Sequence, residues 1–318
     1  MTVGGSIRYD AAMRDPAVID TLNRRFAADT EGAARFEPGN GGFAKLVLTA
    51  PAAEAHVYLY GAHVTHYQPR GQQPVLFLSG KSFFTHGRPI RGGVPIVFPW
   101  FGPRASDPQA PMHGFARIRD WDVDSIAARG DSVTATLSLR SSDETHALWP
   151  HDFRLRYIVT VGPELDLTLE VTNPLADPVM FEQALHTYFA VGDVRQTRVS
   201  GLTTAAYLDK NRDMQKLVDS EDPLVLTGSS DRVYLGTRAK CVIDDPAGAR
   251  RISVDKEGSD TTVVWNPWSN PPKPFPDLGE DEWERFICVE TCNVKDYAVT
   301  LAGEATHTMR SIIRAEKA

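Results

Sequence analysis

"ELDLTLEVT", residues 164–172, alternates without a break: Leu165, Leu167, Leu169 and Val171 fall on one side, Glu164, Asp166, Thr168 and Glu170 on the other. A side-chain period of two marks a strand with one face in a core and one in water. Neighbouring segments repeat the pattern. "SVTATLSLR" (132–140) puts Val133, Ala135, Leu137 and Leu139 on one face, and "FRLRYIVTV" (153–161) does so with Phe153, Leu155, Tyr157, Val159 and Val161. "VGPEL" (161–165), between two of these runs, reads as a hairpin turn. Many short alternating runs divided by Gly, Pro, Asn and Asp predict an all-β fold, a large antiparallel sandwich. A helix is legible near the start, where Asp15-Pro16 is a cap followed by proline at the first helical position. Val18, Ile19, Leu22 and Phe26 then recur at helical spacing, so residues 16–28 are expected as an amphipathic helix packed on the main body.

The 318 residues are 42% hydrophobic and 24% charged, which suits a soluble globular chain, and large all-β folds of this length commonly form one domain. No apolar run reaches 18 residues and the N-terminus lacks a signal-peptide pattern, so a cytoplasmic protein is expected. Three cysteines, Cys241, Cys288 and Cys292, are sparse and odd in number; free thiols in a reducing compartment are the reading. They have no histidine or second cysteine pair at zinc spacing, and no Gly-rich dinucleotide or phosphate loop appears, so no metal or cofactor is expected.

Charge is unevenly spread. The chain carries −7, yet between Arg70 and Arg119 seven basic residues face one acid, Asp107. An acidic chain suits neither nucleic acid nor any other long polyanion. A local cationic patch suits a small anion, and solvated arginines balanced elsewhere are the alternative. Inside this window lies "IRGGVPIVFPWFGPR" (90–104), too rich in proline and glycine for a helix or a central strand. It predicts an ordered irregular segment holding Arg91 at a glycine bend, where the backbone can approach something closely.

Candidate chemistry comes next. His186, in "FEQALHTYFAV", shares a strand face with Glu182 and Tyr188, opposite an apolar face of Phe181, Leu185 and Phe189. A polar face inside a sheet needs partners, and a pocket supplies them, although a lone histidine in an apolar strand is often structural. His113 ("PMHGFAR") and His86 ("FFTHGRP") stand in loops. Glu290 lies mid-strand in the apolar "RFICVETCNV" (285–294); a buried acid there is either salt-bridged or tuned for proton transfer. Trp265 and Trp268, beside the proline-rich loop 266–283, offer flat faces for a sugar or for core packing.

In this order, "IRGGVPIVFPWFG", "HGFARIRDW", "LHTYF", "VVWNPW" and "ICVE" resemble the glucose-6-phosphate 1-epimerase (hexose-6-phosphate mutarotase) branch of the aldose 1-epimerase superfamily, across roughly residues 40–310. The resemblance implies a galactose-mutarotase-like β-supersandwich without cofactor or metal. The N-terminal extension with one amphipathic helix (1–35) is an addition that the resemblance does not explain, and residues 36–318 are expected as one β-sandwich catalytic domain. His186 and Glu290 match the catalytic pair, Arg91 and Arg117 the substrate-binding arginines, and Asp231 in "SSDRVYL" a substrate-binding aspartate. Relatives commonly have glutamine before the His113-Gly114 pair, where this chain has Met112. The partner implied is a small phosphorylated hexose, bound by a monomer.

Exchange of α and β anomers requires opening a hemiacetal, rotating about C1–C2 and closing on the other face. Glu290 is assigned as base on the O1 proton and His186 as acid toward the ring oxygen, the roles reversing on closure. Nearby negative charge is expected to keep His186 protonated, with His113 a donor to the ring oxygen or a hydroxyl. Arg91 and Arg117 would grip a C6 phosphate. A mutarotase for neutral aldoses and a non-catalytic carbohydrate-binding domain remain alternatives.

Overall fold

Every pairing between regular strands is antiparallel in the computed structural model, which describes residues 16–219, 221–269, 271 and 274–318. Among the described residues the largest sheet has nine strands, and "ELDLTLEVT" is inside it: Leu165–Thr172 lies between Arg154–Val161 and Thr306–Lys317. Its residues alternate buried and half-buried as the sequence predicts, and Val161 opposes Leu165 across the expected hairpin. A four-stranded sheet (34–69) and an eight-stranded sheet share a core with it, Leu46, Val57, Leu155, Leu167, Leu185, Ile287 and Ile313 belonging to one apolar cluster. Ser132–Arg140 departs from strict alternation: Thr136 and Ser138 are buried too, Ser138 by donating to Asp124 at 2.7 Å.

Helical structure runs from Pro16 to Thr30, but only Pro16–Leu22 is regular α-helix; a wider π turn (Asn23–Ala27) and a 3-10 turn (Ala28–Thr30) follow. Ile19 and Leu22 enter the main core. Asn23 fastens the segment to the first strand, donating to the Phe36 carbonyl at 2.9 Å and accepting from its N–H at 2.7 Å. That strand, Ala34–Pro38, begins inside the segment expected as an extension, and the Asp15 cap lies outside the described residues. No helix among the described residues is long and apolar enough to cross a membrane.

The segment 90–104 is irregular as expected, except for a two-residue strand, Ile96–Val97, at the edge of the eight-stranded sheet. An edge position tolerates the flanking prolines because a missing N–H there leaves no inner ladder broken. The glycine bend lies against two backbones at once. A Cβ on Gly92 would stand 2.4 Å from the Phe77 carbonyl oxygen, and one on Gly93 2.3 Å from that of Val64. Buried His63 closes the bend by donating from Nε2 to the Gly92 carbonyl at 2.7 Å. Burial pushes its imidazole down to about 4, so it is neutral with the proton on that nitrogen.

Contact, more than conformation, therefore fixes the bend. Gly71 has a similar positive φ (+71°) but open space around it, whereas Gly93 (+61°) has none. Gly71→Ala is expected to lose about 1–2 kcal/mol, the usual penalty of a left-handed residue with a Cβ. Gly93→Ala should lose clearly more in the same denaturant titration; equal losses would mean the backbone gives way freely.

Candidate active site

Phe286–Asn293 is buried at all eight positions, which makes Glu290 an acid in the middle of a dry strand. The chain opposite pairs with it twice, through Gln183–Leu185 and again through Tyr188–Ala190, with Leu185 facing Thr291 and Tyr188 facing Cys288. His186 and Thr187 occupy the gap between these pairings. The His186 N–H turns aside to the Pro95 carbonyl (3.0 Å) and the Tyr188 N–H to that of Gly93 (2.9 Å), so the segment 90–104 holds the histidine's backbone. Its Nε2 reaches to 3.4 Å from Glu290 Oε1. Tyr188 stacks on the imidazole, centroids 4.9 Å apart, and His113 meets it edge-on at 5.6 Å.

This pair lines a cavity of about 450 Å³ whose wall also includes Arg91, Met112, His113, Arg117 and Asp231. All seven residues singled out from the sequence therefore meet in one place. Arg91 donates to the Tyr188 hydroxyl (3.0 Å) and to Asp277 Oδ1 (3.1 Å), with Phe275 beneath its guanidinium. Arg117 donates to the Met112 carbonyl at 2.7 Å and makes no ion pair among the described residues. The Nε atoms of both arginines are buried without a hydrogen-bond partner. Met112 thus acts through its backbone, its side chain standing half exposed at the rim. His113 accepts the Gly102 N–H at Nδ1 (3.2 Å), which leaves its proton on Nε2 as a donor.

Burial and charge set the protonation of the pair. Burial, then Arg117 and Arg91, push His186 well below the ordinary imidazole value, so it is neutral in the free protein. The expected protonated form is overturned because burial, and after it the two arginines, act against the charged imidazole. Burial drives Glu290 the other way, well above the usual carboxylate range, with Lys210 partly opposing it. The two shifts together favour the neutral form of each group, an unprotonated imidazole and a protonated carboxyl. His113 is likewise held neutral by burial and by Arg117.

The sequence reading missed Lys210, Lys295, Phe101 and Phe275, which line the cavity, and Asp277, which pairs with Arg91. Phe275 and Asp277 come from the proline-rich loop, whose length was the available signal; Lys210 and Lys295 had none. Three sequence signals lead elsewhere. Glu182 is a clamp, accepting the N–H groups of Phe101 (2.8 Å) and Lys295 (2.7 Å). His86 packs against Phe43 and Tyr60 outside the cavity. Of the seven basic residues between 70 and 119, only Arg91 and Arg117 line it; Arg119, for example, pairs with Glu144 at 3.4 Å. Trp265 lines the cavity, whereas Trp268 packs on Trp283 at 4.8 Å. The three cysteines are free and buried.

An all-β supersandwich with a carboxyl–imidazole pair in a polar cavity defines a class, the sugar mutarotases, which open and close cyclic hemiacetals by proton transfer. The chain belongs to the aldose 1-epimerase family, whose sequence profile matches residues 44–314. It is 36% identical to proteins named "Putative glucose-6-phosphate 1-epimerase" from Cenchrus ciliaris, over 82% of this chain and 85% of that one, and from Escherichia coli K12, over 84% and 89%. Among solved structures, one titled as a "putative mutarotase" from Salmonella typhimurium superposes with a TM-score of 0.82 at 32% identity, covering 90% of this chain and 94% of that one. The protein is accordingly an isomerase of the epimerase type.

The buried acid has a thermodynamic consequence. A carboxyl whose folded pKa is raised binds protons more tightly than in the unfolded chain, so ionising it destabilises the fold as pH rises above the unfolded value. Glu290→Gln is therefore expected to raise stability at pH 7, because the amide has no proton to lose on unfolding. The gain should vanish toward pH 4, where the wild-type acid is protonated in both states. Thermal unfolding across that range checks it; a loss at pH 7 would mean Glu290 is well compensated.

Proposed function

We propose that the protein interconverts the α and β anomers of a hexose 6-phosphate, glucose 6-phosphate being the first to test. One observation carries this: Arg117 is buried beside a second guanidinium with no carboxylate of its own. Burial and then Arg91 push it down to about 10, which an anion beside it would oppose. With Glu290 protonated, the cations Arg91, Arg117, Lys210 and Lys295 face, among the described residues, Asp231 and Asp277, leaving two positive charges for a phosphate dianion. A neutral aldose would leave that charge uncompensated. The acid–base pair speaks against a purely binding role, which needs neither group.

Substrate charge also reconciles the resting proton with the assigned roles. A dianion on Arg117 and Arg91 opposes the cationic field that, after burial, depresses His186, which favours passing the Glu290 proton to the imidazole, whose Nε2 lies 3.4 Å from Oε1. Glu290, now a carboxylate, takes the O1 proton while His186 gives its proton to the ring oxygen. The C1–O5 bond breaks and the aldehyde forms. After rotation about C1–C2, the same transfers in reverse close the other anomer. His113 Nε2–H is a donor for the ring oxygen or a hydroxyl.

His186→Asn and Glu290→Gln should each leave less than about a tenth of anomer exchange, because each removes one half of a coupled transfer worth about 10²–10⁴-fold. Larger residual exchange in either variant would refute the assigned role.

Arg117→Ala should lower kcat/KM for glucose 6-phosphate about 10- to 100-fold, the value of a hydrogen bond to a charged group. Exchange of glucose should change far less. Arg91→Ala should lose more than Arg117→Ala, since it also leaves Asp277 unpaired facing the phosphate. Equal losses for both sugars would favour a neutral-aldose mutarotase.

A further inference from the structure

Lys210 follows the strand Ala206–Asp209 as the first residue of a 3-10 turn that Asp209 caps by accepting the Asn211 N–H at 3.0 Å. That strand pairs with Ser230–Leu235, Asp209 opposite Arg232, which sets Lys210 beside Asp231. The ammonium lies over the Phe101 ring, 4.7 Å from its centroid, and reaches Asp231 at 3.0 Å (Oδ1) and 3.3 Å (Oδ2). Only the contact to Oδ2 has hydrogen-bond geometry. Oδ1 is buried and keeps an unfilled acceptor position in a carboxylate that lines the same cavity as Glu290.

We propose that Lys210 is a positioning residue of the reaction: by pairing with Asp231 it holds that carboxylate in place on the cavity wall as an acceptor for a sugar hydroxyl. The argument rests on the anomer-exchange reading of this cavity. Burial alone drives Asp231 upward, as Asp209 does to a smaller degree, and Lys210 is the strongest force against this, with Lys295 behind it. Without the ammonium, Asp231 would hold its proton to higher pH and could no longer accept from the sugar as an anion. Glu290 faces the same ammonium, with Arg117 and Asp231 also acting on it, so it moves in the same direction. His186 and His113, which Lys210 also faces, lose a neighbouring cation too; the histidines are eased upward but stay buried beside Arg91 and Arg117.

The test is anomer exchange of glucose 6-phosphate by wild type, Lys210→Met, Lys210→Arg, Asp231→Asn and the Met/Asn double variant, with kcat and KM measured across pH and thermal unfolding recorded for each. In Lys210→Met, KM at pH 7 should rise about tenfold, and the acidic limb of kcat/KM should move to higher pH. Lys210→Arg should restore the limb, because charge is what acts. The double variant should bind no worse than Asp231→Asn, because the lysine works through the aspartate. Wild-type KM and limb in Lys210→Met, failure of arginine to restore the limb, or additive losses in the double variant would each overturn the proposal. Should Lys210→Met fail to fold, Lys210→Gln takes its place with the same readouts. A wild type that does not exchange anomers at all would instead refute the functional reading, which separates the two failures.

Discussion

A guanidinium buried without a carboxylate, Arg117 beside Arg91, is the constraint on which the site depends. Burying an uncompensated cation is unfavourable, and proteins tolerate it where a ligand supplies the missing charge. Burial, with the field of these arginines adding to it, disfavours the charged imidazole of His186, and burial disfavours the charged carboxylate of Glu290. On the proposed function, an anion bound at these guanidiniums opposes part of that depression, so recognition and chemistry are electrostatically coupled.

The scaffold makes this possible by leaving the groups little room to relax. Glu290 stands on a strand buried at every residue, and His186 is held in a gap in the pairing by carbonyls from the segment 90–104. That segment is in turn fixed by the glycine bend pressed on Phe77 and Val64 and closed by His63. A site placed on such rigid elements keeps its geometry without ligand. The long loop adds the last part, bringing Phe275 under Arg91 and Asp277 beside it.

Much of this was legible in the residues. Period-two alternation such as Leu165 to Val171 reports the pleat directly, so the all-β class followed from it. His186 and Glu290 stood out because polar groups in apolar strands need a reason. The helix from Pro16 was seen, but not its slackening into a π turn, which spacing of apolar residues does not encode. Lys210 and Lys295 were invisible because their meeting depends on which strands pair, and sequence distance carries no trace of that. The charge state of His186 was misjudged for a related reason. Its direction comes from burial first and then from two arginines brought close by the fold, whereas the sequence showed only an acid partner.

The central claim is that the cavity's unpaired positive charge selects a phosphorylated sugar for anomer exchange. The most direct measurement is magnetisation-exchange NMR of the wild-type protein with glucose 6-phosphate and with glucose under identical conditions, repeated as ionic strength rises. The account predicts that kcat/KM for the phosphorylated sugar exceeds that for glucose by about 100-fold or more. That advantage should shrink with added salt, since screening weakens the attraction at the cavity mouth. Equal exchange of the two sugars at every ionic strength would contradict it.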